Sequence, residues 1–583
     1  MRRLSFLSIA FALAVSACAS PPPTEPGATS GVGMVAAADP RAVDAGLEML
    51  RRGGSATDAA IATMMVLGLV EPQSAGIGGG AFLLNYDQSA NDIDAYDGRE
   101  RAPAGATPNL FLGANGQPLP FRDAVASGLS TGAPSLIAML EKAHADHGVL
   151  PWRVLFEPAI KLADEGFIVT PRLANLIAYV GANSPLKQDP EAGAYFYDAN
   201  GAPLAAGARR TNPKYAATLR AIQTQGARAL QQGAIAAEIV AQVQRAPRPG
   251  TLSLADLRNV APRKLDPVCG AYRTYRVCGM GPPSSGGIAV LSTLGLYERA
   301  RPAPVGATNV DDWAGYLWAS RIAYSDRDHY VGDDQFVPVP TAGLTDPRYL
   351  SVRAREIDLA KAPPAILQPG DPSLVVGGPS LLDRWGRDRT NEVPGTTHLS
   401  VVAGNGDAVA MTATVESVFG SMRMAGGFML NNQLTDFSLA PTKNGLPVAN
   451  APAAGKRPRS SMAPTLVFDA DGKLYAVVGS PGGSAIIGYV SKTIIGLIDW
   501  NLPMQQAIDL PNITARTAIA PAETGRMAPG VADALTARGW TFRPSQLESS
   551  GLHGIRITAT GFDGGADSRR EGVAKTTASA PVR

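Results

Sequence analysis

The spacing of apolar residues predicts mainly helices over a long central part of the chain. Between Phe121 and about Leu382, apolar side chains recur three and four residues apart, as they do on the buried face of a helix. The clearest of these runs are Ala133 to His147, Trp152 to Glu165, Asn212 to Gln223 and Ala234 to Gln244. We expect these helices to cover a central sheet.

The stretch before this helical region predicts a strand, two helices and a second strand. Val35 to Ala38 is apolar and short, and the helix that follows it ends at Gly53-Gly54. Asp58 to Val70 is almost wholly apolar and predicts the second helix. A glycine-rich turn from Ser74 to Gly80 then opens a strand rather than a helix and lacks a Lys-Ser/Thr pair, so phosphate binding is poorly supported.

The last third of the chain predicts strands. The apolar run Ala408 to Thr414 alternates poorly between apolar and polar residues, which favours a strand buried on both faces. A sheet enclosed by helix layers satisfies that pattern. The other predicted strands are Leu399 to Val402, Thr465 to Phe468 and Leu474 to Val478, and a helix from about Ser484 to Asp499 follows them.

Composition and charge narrow the class of partner. The chain has 583 residues, of which 45% are hydrophobic and 17% charged, and these values are typical of a globular protein. Its 52 basic and 50 acidic residues nearly balance, and no sustained basic run occurs. We therefore expect a small-molecule substrate and no nucleic acid.

The N-terminus predicts export. Arg2-Arg3 precede an apolar run from Leu4 to Val15, and Val15-Ser-Ala-Cys18 resembles a bacterial lipobox. Residues 1–17 would then be removed, Cys18 would carry the lipid, and residues 18–32 would form a tether. An ordinary secretory signal remains the alternative. Ala19 fits an outer-membrane lipoprotein facing the periplasm if the host is Gram-negative, with the lipid as the protein's contact with the membrane.

The two remaining cysteines flank a predicted hairpin. Cys269 and Cys278 border Gly270 to Val277, and in an exported protein they would form a disulfide if the two strands pair in register. Two reduced thiols in the core are the alternative. No histidine or further cysteine lies near them in the sequence, so no metal site is expected.

Several motifs carry candidate chemistry. A Val393-Pro-Gly395 turn leads into Thr396-Thr-His398, and two further motifs follow, Asn431 to Asp436 and Gly479 to Ser484. Together with Ser460-Ser461, and with Gly53 to Ala60 and Asp97 to Pro103 earlier in the chain, these motifs resemble those of the gamma-glutamyltranspeptidases, which are also called glutathione hydrolases. The resemblance spans about residues 33 to 572, with the motifs in the family's order.

This resemblance implies an N-terminal-nucleophile hydrolase with a four-layer αββα sandwich, an α/β (α+β) fold. The chain would cut itself between Gly395 and Thr396 into a large fragment, 33–395, and a small catalytic fragment, 396–583, which would stay together as a heterodimer. The Thr396 hydroxyl would then be the nucleophile, and its freed amine, with an ordinary pKa near 8, would accept the proton. No cofactor is required.

The resemblance also implies a role for each remaining site residue. Thr414 would orient the nucleophile, and the backbone amides of Gly482 and Gly483 would bind the oxyanion. The substrate's alpha-carboxylate would be held by one set of residues and its alpha-ammonium by another: Arg99, Ser460 and Ser461 for the carboxylate, and Gln433 and Asp436 for the ammonium. Glutathione or another gamma-glutamyl compound would be the donor, and water, an amino acid or a dipeptide the acceptor.

One substrate-binding position departs from the family pattern. The best-known members have asparagine two residues after the orienting threonine, and this chain has Glu416. A carboxylate there would bind the substrate ammonium more strongly or favour another acyl donor, as in the related cephalosporin acylases. A glutaryl beta-lactam acylase is therefore the first alternative, and a catalytically silent binding protein is the second.

Overall fold

The computed structural model describes residues 31–181, 184–390, 392–393, 395–545 and 550–580. The predicted signal sequence, the lipidation site at Cys18 and most of the tether lie outside these residues.

Two large sheets form the centre of the fold. Their strands are, in chain order, β1 (Met34–Ala37), β2 (Gly80–Asp87), β3 (Asp92–Gly98), β4 (Arg263–Leu265), β5 (Val268–Tyr272), β6 (Tyr275–Gly279), β7 (Thr396–Val402), β8 (Ala408–Thr414), β9 (Thr465–Phe468), β10 (Leu474–Gly479), β11 (His553–Thr558), β12 (Gly561–Ala566) and β13 (Val573–Thr576). In the described part of the chain the first sheet has the order β13-β1-β7-β8-β2-β3-β4 and the second β12-β11-β10-β9-β6-β5. Neighbouring strands within each sheet run antiparallel.

Both sheets contain strands from both sides of residue 395. In the first sheet β7 lies between β1 and β8, and in the second β9 lies between β6 and β10. Separating residues 33–395 from 396–583 would therefore break backbone ladders in both sheets. The two predicted fragments could part only at the cost of that pairing.

Helices cover the outer faces of the two sheets. The longer ones are α1 (Pro40–Arg51), α2 (Ala56–Val70), α3 (Leu136–His147), α4 (Glu157–Glu165), α5 (Pro171–Val180), α6 (Pro213–Gln225), α7 (Gly233–Gln244), α8 (Gly286–Ala300), α9 (Val310–Tyr330) and α10 (Ile486–Ile498). The shorter ones are Phe121–Val125, Pro185–Gln188, Pro190–Phe196, Arg228–Gln231, Leu254–Arg258, Thr341–Thr345, Pro347–Ala354, Ser373–Val376, Met504–Asp509 and Val531–Ala537.

The layers stack as helix, sheet, sheet and helix. α2 packs on β7 and β8 of the first sheet, while α8 and α10 pack on the second. β7 and β8 contact β10 across the interface between the sheets. This arrangement confirms the predicted αββα fold. Within the described residues, no helix is both long and apolar enough to cross a membrane.

Two helices show why the sequence adopts these layers. Every residue of α2 is buried because the helix lies between β7 and β8 on one side and α1, α3 and α4 on the other. Ser55 and Asp58 form a capping box at its start. The predicted helix at Trp152 begins instead as a 3-10 turn, Trp152–Phe156, which continues into α4.

The cysteine hairpin forms in the register that a disulfide needs. Cys269 of β5 and Cys278 of β6 are directly opposite each other and are joined by a disulfide. Of the two possibilities that the sequence leaves open, the structure contains the bonded one.

Candidate active site

Thr396 is the first residue of β7 and lies opposite Thr414, the last residue of β8. This register places both hydroxyl groups on one face of the sheet. The Thr396 hydroxyl donates to Thr414 Oγ1 over 3.0 Å, and the Thr414 hydroxyl donates to the Gly395 carbonyl oxygen over 2.9 Å. One hydrogen-bonded chain thus connects the predicted nucleophile, its predicted orienting residue and the carbonyl at the predicted cut.

Gly395 is in a site that has no room for a side chain. A Cβ there would lie 2.1 Å from the Glu416 carbonyl oxygen and 2.4 Å from the Ser417 carbonyl carbon. A strained backbone is not the reason for glycine at this position, because Gly395 is not among the residues with a positive φ. The glycine is needed because the backbone after β8 crosses the cut site at close range.

Two glycines form the corner between β10 and α10. Gly482 has a φ of +139° and Gly483 a φ of +56°, and the 3-10 turn Gly483–Ala485 leads from them into the helix. Within the described residues, no hydrogen bond uses the N–H of either glycine. Gly483 lines the cavity that contains Thr396, and Gly482 directly precedes it. These two amides are therefore available as donors, as an oxyanion site requires.

Arg99 follows β3 and is buried in the same cavity. Its Nη2 donates to Asp436 Oδ2 over 2.5 Å and to the Arg459 carbonyl over 2.8 Å, and its Nε donates to the Pro458 carbonyl over 3.1 Å. The structure thus brings Arg99 into the site, where it is already engaged by one carboxylate and two carbonyl groups.

Ser460 and Ser461 have different partners. The Ser460 hydroxyl oxygen accepts a hydrogen bond from the Met462 N–H over 3.1 Å. The Ser461 hydroxyl oxygen accepts from Arg327 Nη2 over 2.6 Å and also hydrogen-bonds the Glu392 carboxylate. Both serines line the cavity, but it is Ser461 that contacts a carboxylate in this structure.

The opposite side of the cavity is acidic. Gln433 and Asp436 are in the 3-10 turn Gln433–Asp436, and Gln433 Nε2 donates to Asp436 Oδ2 over 2.7 Å. Asp436 Oδ1 and Gln433 Oε1 are buried, and neither has a hydrogen-bond partner among the described residues. Two buried acceptor oxygens without donors form a site that suits an ammonium group.

Glu416 completes this acidic side. Its Oε2 accepts hydrogen bonds from the Ser417 hydroxyl and from Asn432 Nδ2, and its Oε1 accepts from the Val393 N–H over 3.3 Å. Burial, and then the nearby Asp436, raise the pKa of Glu416 well above its ordinary value. Burial also raises the pKa of Asp436 to about 6, although Arg99 opposes that change. A cation bound beside these two carboxyl groups would stabilise their ionised forms and lower both pKa values.

Arg327 and the side chain of Glu392 are part of the site although no sequence motif predicts a role for them. Arg327 is on α9 and donates to the Ser285 hydroxyl over 2.9 Å, to Asp328 and to Glu392. Burial alone would raise the pKa of Glu392, but Arg327 and Arg459 hold it below its ordinary value. A sequence signal did exist, since Arg327 lies in the charged run Ser325-Asp-Arg-Asp-His329 within a predicted helical region and Glu392 lies just before the predicted cut.

The cavity around Thr396 is nearly full in the uncut chain. Its free volume is about 10 Å³, which is room for roughly one water molecule. Glu392 and Val393, from the segment before the predicted cut, are part of its lining. The other lining residues are Arg99, Thr396, Thr414, Glu416, Gln433, Asp436, Ser460, Ser461, Met462, Gly483 and Ile486. An acyl donor can enter only if some of these side chains move.

His398 is close in sequence to the nucleophile but does not contact it. Its Nδ1 is 2.8 Å from Thr412 Oγ1 and its Nε2 is 3.1 Å from Ser400 Oγ. Burial holds the pKa of His398 well below its ordinary value, so the ring is neutral. It packs against Gly479, where an added Cβ would meet the ring at 2.3 Å. The structure thus places His398 between the sheets, in a packing position.

Comparison with known proteins gives a consistent set of similarities. A family model described as gamma-glutamyltranspeptidase matches residues 42–577. The chain is 34% identical over 552 residues to the glutathione hydrolase proenzyme of Bacillus subtilis (strain 168), covering 93% of this chain and 91% of that protein. It is 35% identical over 531 residues to the glutathione hydrolase proenzyme of Escherichia coli (strain K12), covering 88% and 87%.

Acylases are similar to the chain as well. The acylase ACY 1 proenzyme of Pseudomonas sp. (strain V22) is 30% identical over 549 residues, covering 92% of each chain. The crystal structure of cephalosporin acylase from Bacillus halodurans has a TM-score of 0.80 at 25% identity and covers 97% of this chain and 99% of that one.

Proposed function

The chain belongs to the gamma-glutamyltranspeptidase family, a family of enzymes, and from this we propose that it cuts itself and then transfers gamma-glutamyl groups. The donor would be glutathione or a related gamma-glutamyl amide, and the acceptor water, an amino acid or a short peptide. The observation that carries the proposal is the hydrogen-bonded chain from Thr396 through Thr414 to the Gly395 carbonyl.

Self-cleavage uses these two hydrogen bonds directly. The Thr396 hydroxyl oxygen attacks the Gly395 carbonyl carbon, while the Thr414 hydroxyl stabilises the negative charge that develops on the carbonyl oxygen. The C–N bond then breaks, the Thr396 nitrogen takes up the hydroxyl proton, and an ester links Gly395 to Thr396 Oγ1. Water hydrolyses the ester, which leaves a carboxylate on Gly395 and a free amine and hydroxyl on Thr396.

Turnover repeats this chemistry on a bound donor. The Thr396 amine accepts the hydroxyl proton while the oxygen attacks the gamma-carbonyl carbon, and the amides of Gly482 and Gly483 stabilise the oxyanion. The same amine protonates the leaving nitrogen as the amide bond breaks. A gamma-glutamyl ester on Thr396 remains, and water or an acceptor amine resolves it and regenerates the hydroxyl.

A gamma-glutamyl donor has an alpha-carboxylate and an alpha-ammonium, and the cavity has a basic and an acidic side. Arg99, Ser460 and Ser461 would hold the carboxylate. Glu416, Gln433 and Asp436 would hold the ammonium, and the unpartnered Asp436 Oδ1 and Gln433 Oε1 support this. Arg99 and Asp436 form a salt bridge, so the basic and acidic sides of the cavity are adjacent. The substrate's carboxylate would then face the basic side and its ammonium the acidic side.

An acylase function is the second candidate because of Glu416 and the similarity to cephalosporin acylase from Bacillus halodurans. A glutaryl group has the distal carboxylate of a gamma-glutamyl group but no alpha-ammonium. A glutaryl donor would therefore use the basic side of the cavity and leave Glu416 without a cation, while Asp436 keeps Arg99 as its partner. The raised pKa of Glu416 permits this, since a protonated carboxyl group needs no counterion.

One experiment separates the two candidates. Purified, matured protein is assayed with glutathione and with a glutaryl beta-lactam, each with and without a dipeptide acceptor. We expect glutamate release from glutathione, a new gamma-glutamyl peptide when the dipeptide is present, and slower cleavage of the beta-lactam. Cleavage of the beta-lactam without turnover of glutathione would replace our proposal with the acylase function.

We also propose that the protein is exported and anchored through a lipid on Cys18, with the catalytic part in the periplasm. The disulfide between Cys269 and Cys278 supports an oxidising compartment. Replacing Cys18 by serine should move the protein from the membrane fraction to the soluble fraction of the same compartment. An unchanged distribution would refute the anchor.

A further inference from the structure

The Glu392 carboxylate occupies a binding site for carboxylates inside the catalytic cavity. Arg327 Nη2 forms an ion pair with it, the Ser461 hydroxyl hydrogen-bonds it, and Arg459 Nε lies 3.9 Å away. Arg327 and Glu392 are almost completely shielded from solvent. Glu392 is only three residues before Gly395, so the group in this site belongs to the segment that the predicted cut sets free.

The buried ion pairs around the site are balanced in charge while Glu392 is present. Arginines and carboxylates form ion pairs in and beside the cavity in equal number: Arg99, Arg327, Arg459 and Arg516 with Asp328, Asp388, Glu392 and Asp436. Removal of Glu392 would leave one buried positive charge without a counterion. A buried charge without a partner is costly, so the emptied site would favour another carboxylate.

Arg327, unlike Arg99, loses a charged partner when Glu392 leaves. Arg99 keeps Asp436 and two backbone carbonyls as partners, and all three belong to residues outside the segment before the cut. Arg327 loses a partner when Glu392 leaves, and it keeps Ser461 at 2.6 Å.

We propose that Arg327, beside Ser461, also binds the alpha-carboxylate of the acyl donor, and that Glu392 is an internal mimic of that carboxylate. The inference rests on the proposed gamma-glutamyl transfer and adds Arg327 to the residues that select its substrate. Before the cut, Glu392 keeps the site closed and its charge compensated. After the cut, the donor replaces it.

The test compares two donors that differ only in the carboxylate. One is a gamma-glutamyl anilide and the other is a 4-aminobutanoyl anilide, which has the ammonium chain but no alpha-carboxylate. In the matured Arg327→Gln variant, we expect kcat/KM for the gamma-glutamyl donor to fall at least tenfold more than for the other donor, mainly through KM. Arg327→Lys should recover part of that loss.

Arg516→Gln is the matched control. It removes the same charge from the same ion-pair cluster, but Arg516 donates to Asp328, Ser484 and the Thr390 carbonyl, and among the described residues it has no hydrogen bond to Glu392 or Ser461. Its effect on the two donors should agree within about threefold. An equal loss for both donors in Arg327→Gln would show that Arg327 has only a structural role and would overturn the proposal.

A second measurement tests the proposal even if the Arg327→Gln variant fails to cut itself. Peptides with the sequence of residues 391–395, with Glu392 intact or replaced by glutamine, are tested as inhibitors of the wild-type enzyme. We expect competitive inhibition by the glutamate peptide and at least tenfold weaker inhibition by the glutamine peptide. Equal inhibition by both, or inhibition by neither, would overturn the proposal. Wild-type enzyme that turns over neither donor would instead refute the proposed function.

Discussion

Replacement of Glu416 by glutamine tests the acidic side of the cavity most sharply. Burial raises the pKa of Glu416 well above its ordinary value, which favours the neutral carboxyl group, and an amide has nearly the same shape as that group. Self-cleavage should therefore proceed at close to the wild-type rate in Glu416→Gln. What the variant loses is the ability to become a carboxylate when a substrate ammonium arrives.

The size of the loss follows from the neighbours of Glu416. Asp436 is paired with Arg99, so one of the two carboxylates is already neutralised. Glu416 then supplies the net negative charge for the ammonium. A hydrogen bond to a charged group is worth about 1.5 to 3 kcal/mol, which corresponds to a roughly ten- to hundredfold loss in kcat/KM for gamma-glutamyl donors.

The assay measures the ratio of kcat/KM for a gamma-glutamyl anilide to kcat/KM for a glutaryl anilide, which lacks the amine. Titration of the Thr396 amine affects both donors and cancels in this ratio. In the wild type the ratio should rise with pH as the two carboxyl groups become ionised, since burial raises the pKa of Asp436 to about 6 and the pKa of Glu416 well above its ordinary value. Glu416→Gln should lower the ratio and flatten its rise. A ratio that does not change on mutation would refute the assignment of Glu416 to the ammonium.

Three further predictions each concern a single residue. Gly395→Ala should block self-cleavage, seen as a single band on a denaturing gel, because the added Cβ would lie 2.1 Å from the Glu416 carbonyl oxygen; a fully cut variant would contradict this. Thr414→Ala should slow the appearance of fragments roughly ten- to hundredfold while Thr414→Ser stays close to wild type, because only the hydroxyl bridges Thr396 and Gly395. Burial raises the pKa of Glu100 from 4.5 to about 8, so its contribution to stability is lost as pH rises from about 4.5 to 8. Glu100→Gln should therefore raise Tm more at pH 8 than at pH 5, and an equal change at both would be evidence against the buried, protonated carboxyl group.

The sequence predicted the strands around the nucleophile well because their side chains follow local rules. Ala408–Thr414 is a strand with the predicted bounds, and its small, apolar residues suit a position between two layers. β7 begins at Thr396 rather than at the predicted Leu399 because its ladder with β8 extends to the pair Thr396 and Thr414. Hydrophobic spacing could not predict these first residues of the strand, because Thr396 and Thr397 are polar and yet buried.

The contacts of Arg327 were beyond sequence reasoning for a different reason. Its partners Glu392 and Ser461 are 65 and 134 positions away in the chain, and no local pattern records a contact over such a distance. The same holds for the salt bridge between Arg99 and Asp436, which are 337 positions apart. Motif resemblance identified the ends of that pair, but only the packed layers show that the two groups neutralise each other.

The most direct test of the account is the N-terminal sequence and mass of the fragments in purified, active protein, with Thr396→Ala as the comparison. Cleavage before Thr396 gives a small fragment of residues 396–583, which is 188 of 583 residues and about 20 kDa of the 60.4 kDa chain. We predict that this fragment begins with Thr396, and that Thr396→Ala stays uncut and inactive. Full activity in an uncut chain, or a cut at another position, would contradict the claim that cleavage makes Thr396 the N-terminal residue and that Thr396 is then the nucleophile.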